Sequence, residues 1–278
     1  MMPKTQIFIF LTAICLVIGL FQLPKVIVKT QTKTLDNDIK DVSTSNAQEH
    51  KTKTLAEHSP KLSQTDLRAI ALFKQNFYTK NQQTIWADSL ASVFRKANMW
   101  DSAAYYIGVA SEKATEQMQL LKAANAYYDA FSFAIQPNKA KTLAQKARAF
   151  YQKVLDKDPN LAEAKVKLGM TYTVSENPVQ GILLIKEVLE KEPNNTLALM
   201  NLGLLSMQSK QYDKAVERFE KLVAIEPKNF EAKIYLAESY ANTNKKQKAI
   251  DLLKKIQQEA PEASLRVAAA DFLKQLTP

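Results

Sequence analysis

Cysteine is almost absent from this chain: among 278 residues there is one, Cys15, and it lies inside an apolar run. The remainder can hold no disulfide, no thiolate nucleophile and no cysteine metal site, which fits an oxidising compartment. Histidine is nearly as scarce. His50 and His58 both fall in a polar stretch and read as solvated side chains rather than metal ligands. Glycine occurs five times, with no glycine-rich phosphate loop after a strand. Arginine stands only at Arg68, Arg95, Arg148, Arg218 and Arg266, so lysine supplies most of the net charge of +10, whereas phosphate recognition favours the arginine fork. The acidic residues are spread at spacings that suit solvation or pairing with Lys four residues away. Without a clustered acid, base or nucleophile an enzyme is not expected, nor a cofactor or a metal.

What is abundant is helix-forming material. Hydrophobic residues make up 46% and charged residues 24% of the chain, enough for one sizeable folded unit. The richness in Ala, Leu, Lys, Gln and Glu predicts an all-α body with almost no sheet.

After a short tail at 1–6, residues 7–23 carry no charge and would make an apolar helix of about 26 Å, close to the thickness of a bilayer core. A cleaved secretory signal would need small residues before the cut, and Gln22, Leu23, Pro24 and Lys25 supply none. A lipoprotein would need a small residue where Ile14 precedes Cys15. The run therefore reads as an uncleaved transmembrane anchor and signal anchor. Lys25, Lys29 and Lys33 follow it and outnumber Lys4, which by the positive-inside rule favours a cytoplasmic body. Residues 24–61 hold too little apolar surface to offset the entropy of ordering and read as a flexible polar linker.

Pro159, Pro193, Pro227 and Pro261 stand at one interval, 34 residues, a repeat signature before any residue chemistry is considered. Units at 162–195, 196–229 and 230–263 follow without insertion or deletion. Position 7 is Leu168, Leu202 and Leu236; position 8 is Gly169, Gly203 and Ala237; position 11 is Tyr172, Ser206 and Tyr240. A second helix carries Gly181, Ala215 and Ala249 at position 20, Ile185, Phe219 and Leu253 at position 24, and Val188, Leu222 and Ile256 at position 27. Spacings of three and four bury one stripe per helix, and proline closes each unit.

This pattern resembles the tetratricopeptide repeat family, most closely over Leu202, Gly203, Tyr212, Ala215, Phe219 and Pro227. It departs at position 4, where Lys165, Leu199 and Lys233 replace Trp, and at Ser206, which replaces an aromatic. The resemblance implies a right-handed superhelical solenoid of helix-turn-helix repeats. Upstream, Leu90, Ala91, Phe94, Trp100, Ala103, Ile107 and Ala110 fit a divergent unit at 84–117. An enlarged hairpin at 118–161 carries Leu121, Ala124, Tyr128 and Phe131, then a break at Pro137, then Ala147, Tyr151 and Val154. An opening helix at 62–83 and a capping helix at 264–278 complete the body, because a solenoid's terminal apolar face must be covered.

In this family the first helices line a concave groove that takes a partner peptide. Carried over by position, the groove residues are Val166, Met170, Leu197, Met200, Asn201, Leu204, Met207, Ile234 and Glu238, with Glu163, Thr173, Glu231 and Ala241 beside them. The carboxylate clamp of the chaperone-binding members is missing, since only Asn201 matches it. The methionines point instead to a compliant apolar surface. The expected function is a membrane-anchored scaffold or adaptor for a protein or peptide partner, acting in assembly or maturation of an envelope complex. Resemblance to anchored bacterial repeat proteins places the body in the periplasm beside the inner membrane, against the lysine balance. Two other readings stay open: a basic helical-repeat RNA binder and a self-assembling homo-oligomeric solenoid. The first is disfavoured by the Met, Leu, Val and Ile of the groove.

Overall fold

The computed structural model describes residues 62–80 and 82–277, all within one unit, Leu55–Pro278. The apolar run at 7–23 and the linker at 24–61 lie outside the described residues. Among the described residues no helix is long and apolar enough to cross a membrane.

Helices follow one another with short turns: α1 (Gln64–Thr79), α2 (Gln83–Lys96), α3 (Trp100–Ala110), α4 (Gln117–Ser132), α5 (Pro137–Lys157), α6 (Ala162–Thr171), α7 (Pro178–Lys191), α8 (Thr196–Gln208), α9 (Tyr212–Ile225), α10 (Phe230–Ala241), α11 (Lys246–Glu259) and α12 (Ala263–Leu276). No strand occurs among the described residues. Each even-numbered helix from α2 to α10 pairs with the helix after it, and each pair packs on the next. The first helices also touch one another along the stack, α4 with α6, α6 with α8, α8 with α10 and α10 with α12, while the second helices make no comparable contact. Closer spacing on the first-helix side curves the stack toward that side, as in an α-solenoid.

Local chemistry explains the regular turns. Pro159, Pro193 and Pro227 stand two residues beyond α5, α7 and α9, where the missing N–H breaks no helical bond. Asn195 and Asn229 then cap α8 and α10, each side-chain oxygen accepting from a backbone N–H three residues on at 2.9 Å. Between first and second helix, Asn98, Lys210 and Asn244 have φ of 56°, 58° and 56°, the left-handed conformation that lets a helix stop and reverse. All three occupy position 15 of their units. The unit at 162–195 lacks this device: α6 has 10 residues and ends in a 3-10 turn, Tyr172–Val174.

Small residues at position 8 set the helix spacing within hairpins. A Cβ on Gly203 would lie 2.5 Å from Phe219 Cζ, and one on Gly169 would lie 2.7 Å from the Gly181 carbonyl oxygen. The apolar interior forms three clusters along the stack. One runs from α1 to α6, a small one joins α6, α7 and α8 through Val166, Ile185, Val188, Ala198 and Leu202, and the last runs from α8 to α12. The α4–α5 hairpin is oversized, with helices of 16 and 21 residues against 13 and 14 for α8 and α9.

Candidate functional site

The first-helix side of the stack changes character along its length. Across α6, α8 and α10 it carries Met170, Leu197, Met200, Leu204, Met207, Ile234 and Glu238, all half-buried. Met170 and Leu197 rest on the small central cluster, and Met200, Leu204, Met207 and Ile234 on the last one. Their inner atoms are thus held by the core while their outer atoms stay accessible. Beside them Glu231 is exposed, and Thr173 and Ala241 are half-buried.

Two of the expected groove residues do not belong to this surface. Val166 is 0% exposed, turned into the central cluster between α7 and α8. Asn201 is 8% exposed, and its amide donates to the Leu197 carbonyl of its own helix at 2.7 Å. Val166 therefore has no surface to offer a ligand, and the Asn201 amide is engaged by its own helix.

The repeat-defining residues sit elsewhere, mostly in the interior. Leu168, Leu202, Ala215, Phe219, Leu236, Ala237, Tyr240 and Ala249 are buried, Gly169 and Gly203 lie at helix contacts, and Pro193, Pro227 and Pro261 are exposed in turns. Half-buried Tyr172 lies under the Arg148 guanidinium, 4.0 Å from the ring centroid.

Toward the N-terminus the first-helix side is polar, a feature that the 34-residue pattern does not signal. Lys122 of α4 pairs with Asp88 of α2 at 2.5 Å. Asn125 Oδ1 accepts from the Tyr151 hydroxyl at 2.7 Å and from Lys167 at 3.0 Å, and Lys167 also holds Glu163 at 2.6 Å. Burial pushes the Asp129 carboxyl upward, against the pull of Lys167 and Arg95.

The described clefts open on the other side, between second helices. One of about 330 Å³ lies between α7 and α9 and is lined by Lys186, Glu190, Arg218 and Lys221 among others. Burial lowers the Arg218 guanidinium, which donates to the Ser206 hydroxyl and, at 3.4 Å, to the Leu202 carbonyl. A larger cleft of about 600 Å³ lies between α3 and α5 over Tyr106 and Tyr127. None of the expected groove residues lines either cleft. Among the described residues no three His, Cys, Asp or Glu side chains gather as a metal site would require.

Residues 206–271 match the family model for the tetratricopeptide repeat. Among solved structures, a thermophilic TPR protein of Thermus thermophilus, TTC0263, is 17% identical, with 75% of this chain and 99% of that chain covered and a TM-score of 0.51. MamA of Desulfovibrio magneticus RS-1 is 16% identical over 64% of this chain and 95% of its own, with a TM-score of 0.48. YrrB, described as a TPR protein with an unusual peptide-binding site, is 19% identical over 73% of this chain and 100% of its own, with a TM-score of 0.44. No curated protein matches the chain.

Proposed function

We propose that this chain, a protein of tetratricopeptide repeats, holds a partner polypeptide against the first-helix side of α6, α8 and α10. The observation that carries this reading is the run of half-buried apolar side chains Leu197, Met200, Leu204, Met207 and Ile234 on adjacent helices. Because the core already holds the inner atoms of these side chains, a ligand that covers the outer atoms costs less rotamer entropy than it would at fully exposed side chains. Unbranched methionines adapt to more than one ligand shape, and a partner helix with anchors at spacings of three, four and seven would fit such a surface.

The partner would be gathered at a membrane. The uncharged run at 7–23 is long enough for an anchor, and the polar stretch at 24–61 gives the repeats reach. Together they support a tethered scaffold or adaptor serving assembly or maturation of an envelope complex, with the body beyond the bacterial inner membrane. Protease treatment of intact cells and spheroplasts tests the sidedness directly.

Affinity capture of the full-length protein from native membranes, read by mass spectrometry, tests the groove. Met200→Glu with Leu204→Glu should lose the captured partner while the circular dichroism of the protein is kept. Capture that survives this pair of charges in a folded protein would refute the groove assignment. Met200→Gln, a smaller perturbation, should weaken capture by about tenfold if the apolar contact is central.

A further inference from the structure

The cleft between α3 and α5 differs in chemistry from the apolar first-helix surface and lies on the opposite side of the stack. Its floor is Phe94, Tyr106 and Tyr127, and its walls carry Lys74 of α1 and Lys139 and Lys146 of α5. The one acidic residue lining it is Asp101, which is held by Lys139 at 2.5 Å. That pair is exposed on both sides, so it costs little to exchange for another carboxylate. The bias extends beyond the cleft: α5 has six basic side chains, Lys139, Lys141, Lys146, Arg148, Lys153 and Lys157, against one acidic, Asp156.

Past the Asp101–Lys139 pair the surface continues into a second hollow of about 230 Å³. There Trp100 stacks on Phe133 with centroids 4.5 Å apart, and Ile135 at the rim is 96% exposed. A basic, tyrosine-floored cleft thus runs into a hollow of mixed lining, in which Asn98, Asp101, Gln136 and Lys139 surround the apolar Trp100, Phe133 and Ile135. We infer that this surface, from Lys74 and Lys146 to Ile135, docks an acidic polypeptide segment that carries an apolar side chain.

Charge complementarity selects the acid, and the hollow selects the apolar anchor. A nucleic acid would need open aromatic faces on which bases stack. Here the two floor rings, Tyr106 and Tyr127, are 7% and 5% exposed and lie under Lys74 and Lys146 at 5.9 and 5.4 Å, which leaves Tyr105 on the wall, 46% exposed, as the one open ring lining the cleft; a single ring offers no run of stacking platforms. No arginine lines the cleft to fork a phosphate. An acidic peptide needs neither, since its carboxylates can meet the lysines at the rim.

The test is fluorescence anisotropy with the full-length protein in detergent and a labelled peptide of alternating Glu and Asp around one central Leu-Phe pair. Lys74→Glu with Lys146→Glu should weaken binding at least tenfold. Phe133→Ser, which leaves every charge in place, should weaken the Leu-Phe peptide several-fold and leave an all-acidic version unchanged. Lys254→Glu with Lys255→Glu, on α11, should have no effect. Absence of peptide binding would overturn the assignment, as would equal loss in the α11 variant, which marks a general charge effect. Oligothymidylate or phosphatidylglycerol vesicles that bind in a Lys74- and Lys146-dependent way, where the peptide does not, would transfer the cleft to a nucleic acid or a lipid surface. These readouts do not involve Met200 or Leu204, so the groove reading stands or falls separately.

Discussion

Replacing Gly203 by Ala sets two effects of similar size against each other. In an open helix the change removes a backbone-entropy cost and stabilises by about 1 kcal/mol. In this protein the added methyl meets Phe219 Cζ at 2.5 Å and Cε1 at 2.6 Å, where carbon atoms at rest stand about 3.5–4 Å apart. The ring must therefore retreat by about 1 Å. It has nowhere to go, because Phe219 is 0% exposed and stacks on Tyr235 of the next hairpin at 5.7 Å between centroids. Overpacking of this kind costs about 1–3 kcal/mol, so the steric effect wins and the net loss is about 1 kcal/mol. With a urea dependence of about 2 kcal/mol per M, the midpoint followed by far-UV circular dichroism should fall by about 0.5 M. In a Phe219→Leu background the clash is gone, and the same glycine replacement should become neutral or stabilising. A midpoint that rises on Gly203→Ala alone would refute the argument that this glycine sets the helix spacing.

Other outcomes follow from single residues. Asn195→Ala and Asn229→Ala should each cost about 1 kcal/mol, since each removes a cap at 2.9 Å; thermal denaturation will show it. Asp129→Asn should raise stability at neutral pH, because burial holds the folded carboxyl above its ordinary range and the charge is then maintained at a cost; an unchanged or lowered denaturation midpoint contradicts this. Burial also raises the Tyr151 phenol, and burial plus the Glu220 carboxylate, which accepts its hydroxyl at 2.5 Å, raises that of Tyr240. Folded values above the unfolded one give stability that is complete below pH about 10 and declines as the unfolded chain ionises. Alkaline titration followed by tyrosinate absorbance should therefore show these two phenols ionising together with loss of helix, and independent early ionisation of either would contradict it.

Proline made the repeat legible. It cannot continue a helix, so its spacing marks where helices stop, and Pro159, Pro193 and Pro227 all fall two residues past a helix end. The first-helix surface was harder to read because helices such as α8 are covered on more than one side, by α9 within the hairpin and by α6 and α10 along the stack. Its sequence, TLALMNLGLLSMQ, is apolar almost all round, and a period of 3.6 then does not say which apolar side chain stays open. Repeat position assigns Val166 and Asn201 to the groove, and position alone does not show that Val166 packs into the central cluster or that Asn201 bonds back to its own helix. At position 15 Asn98 and Asn244 share both side chain and backbone conformation while Lys210 shares only the conformation, so identity alone could not align all three.

Position 4 shows a departure whose purpose needed coordinates. Lys165 and Lys233 stand where tryptophan is usual, with their stems packed and only 11% and 13% of their side chains exposed. Each ammonium reaches a carboxylate on the second helix of its own hairpin, Glu187 at 2.7 Å and Glu259 at 4.0 Å. Each contact ties the first helix of a hairpin to its second, and the clefts between second helices depend on how those helices stand apart, which no local pattern records.

The oversized hairpin has a consequence for addressing. Identical units one after another form a ruler without numerals: a ligand that fits one notch fits the next, and its position is ambiguous by a whole repeat. The 21-residue α5, followed by the abbreviated α6, is where sliding by one notch no longer maps the ruler onto itself. It gives the scale an origin, so that a segment seated on α6 to α10 and one seated beside α5 would be held at a fixed offset from each other.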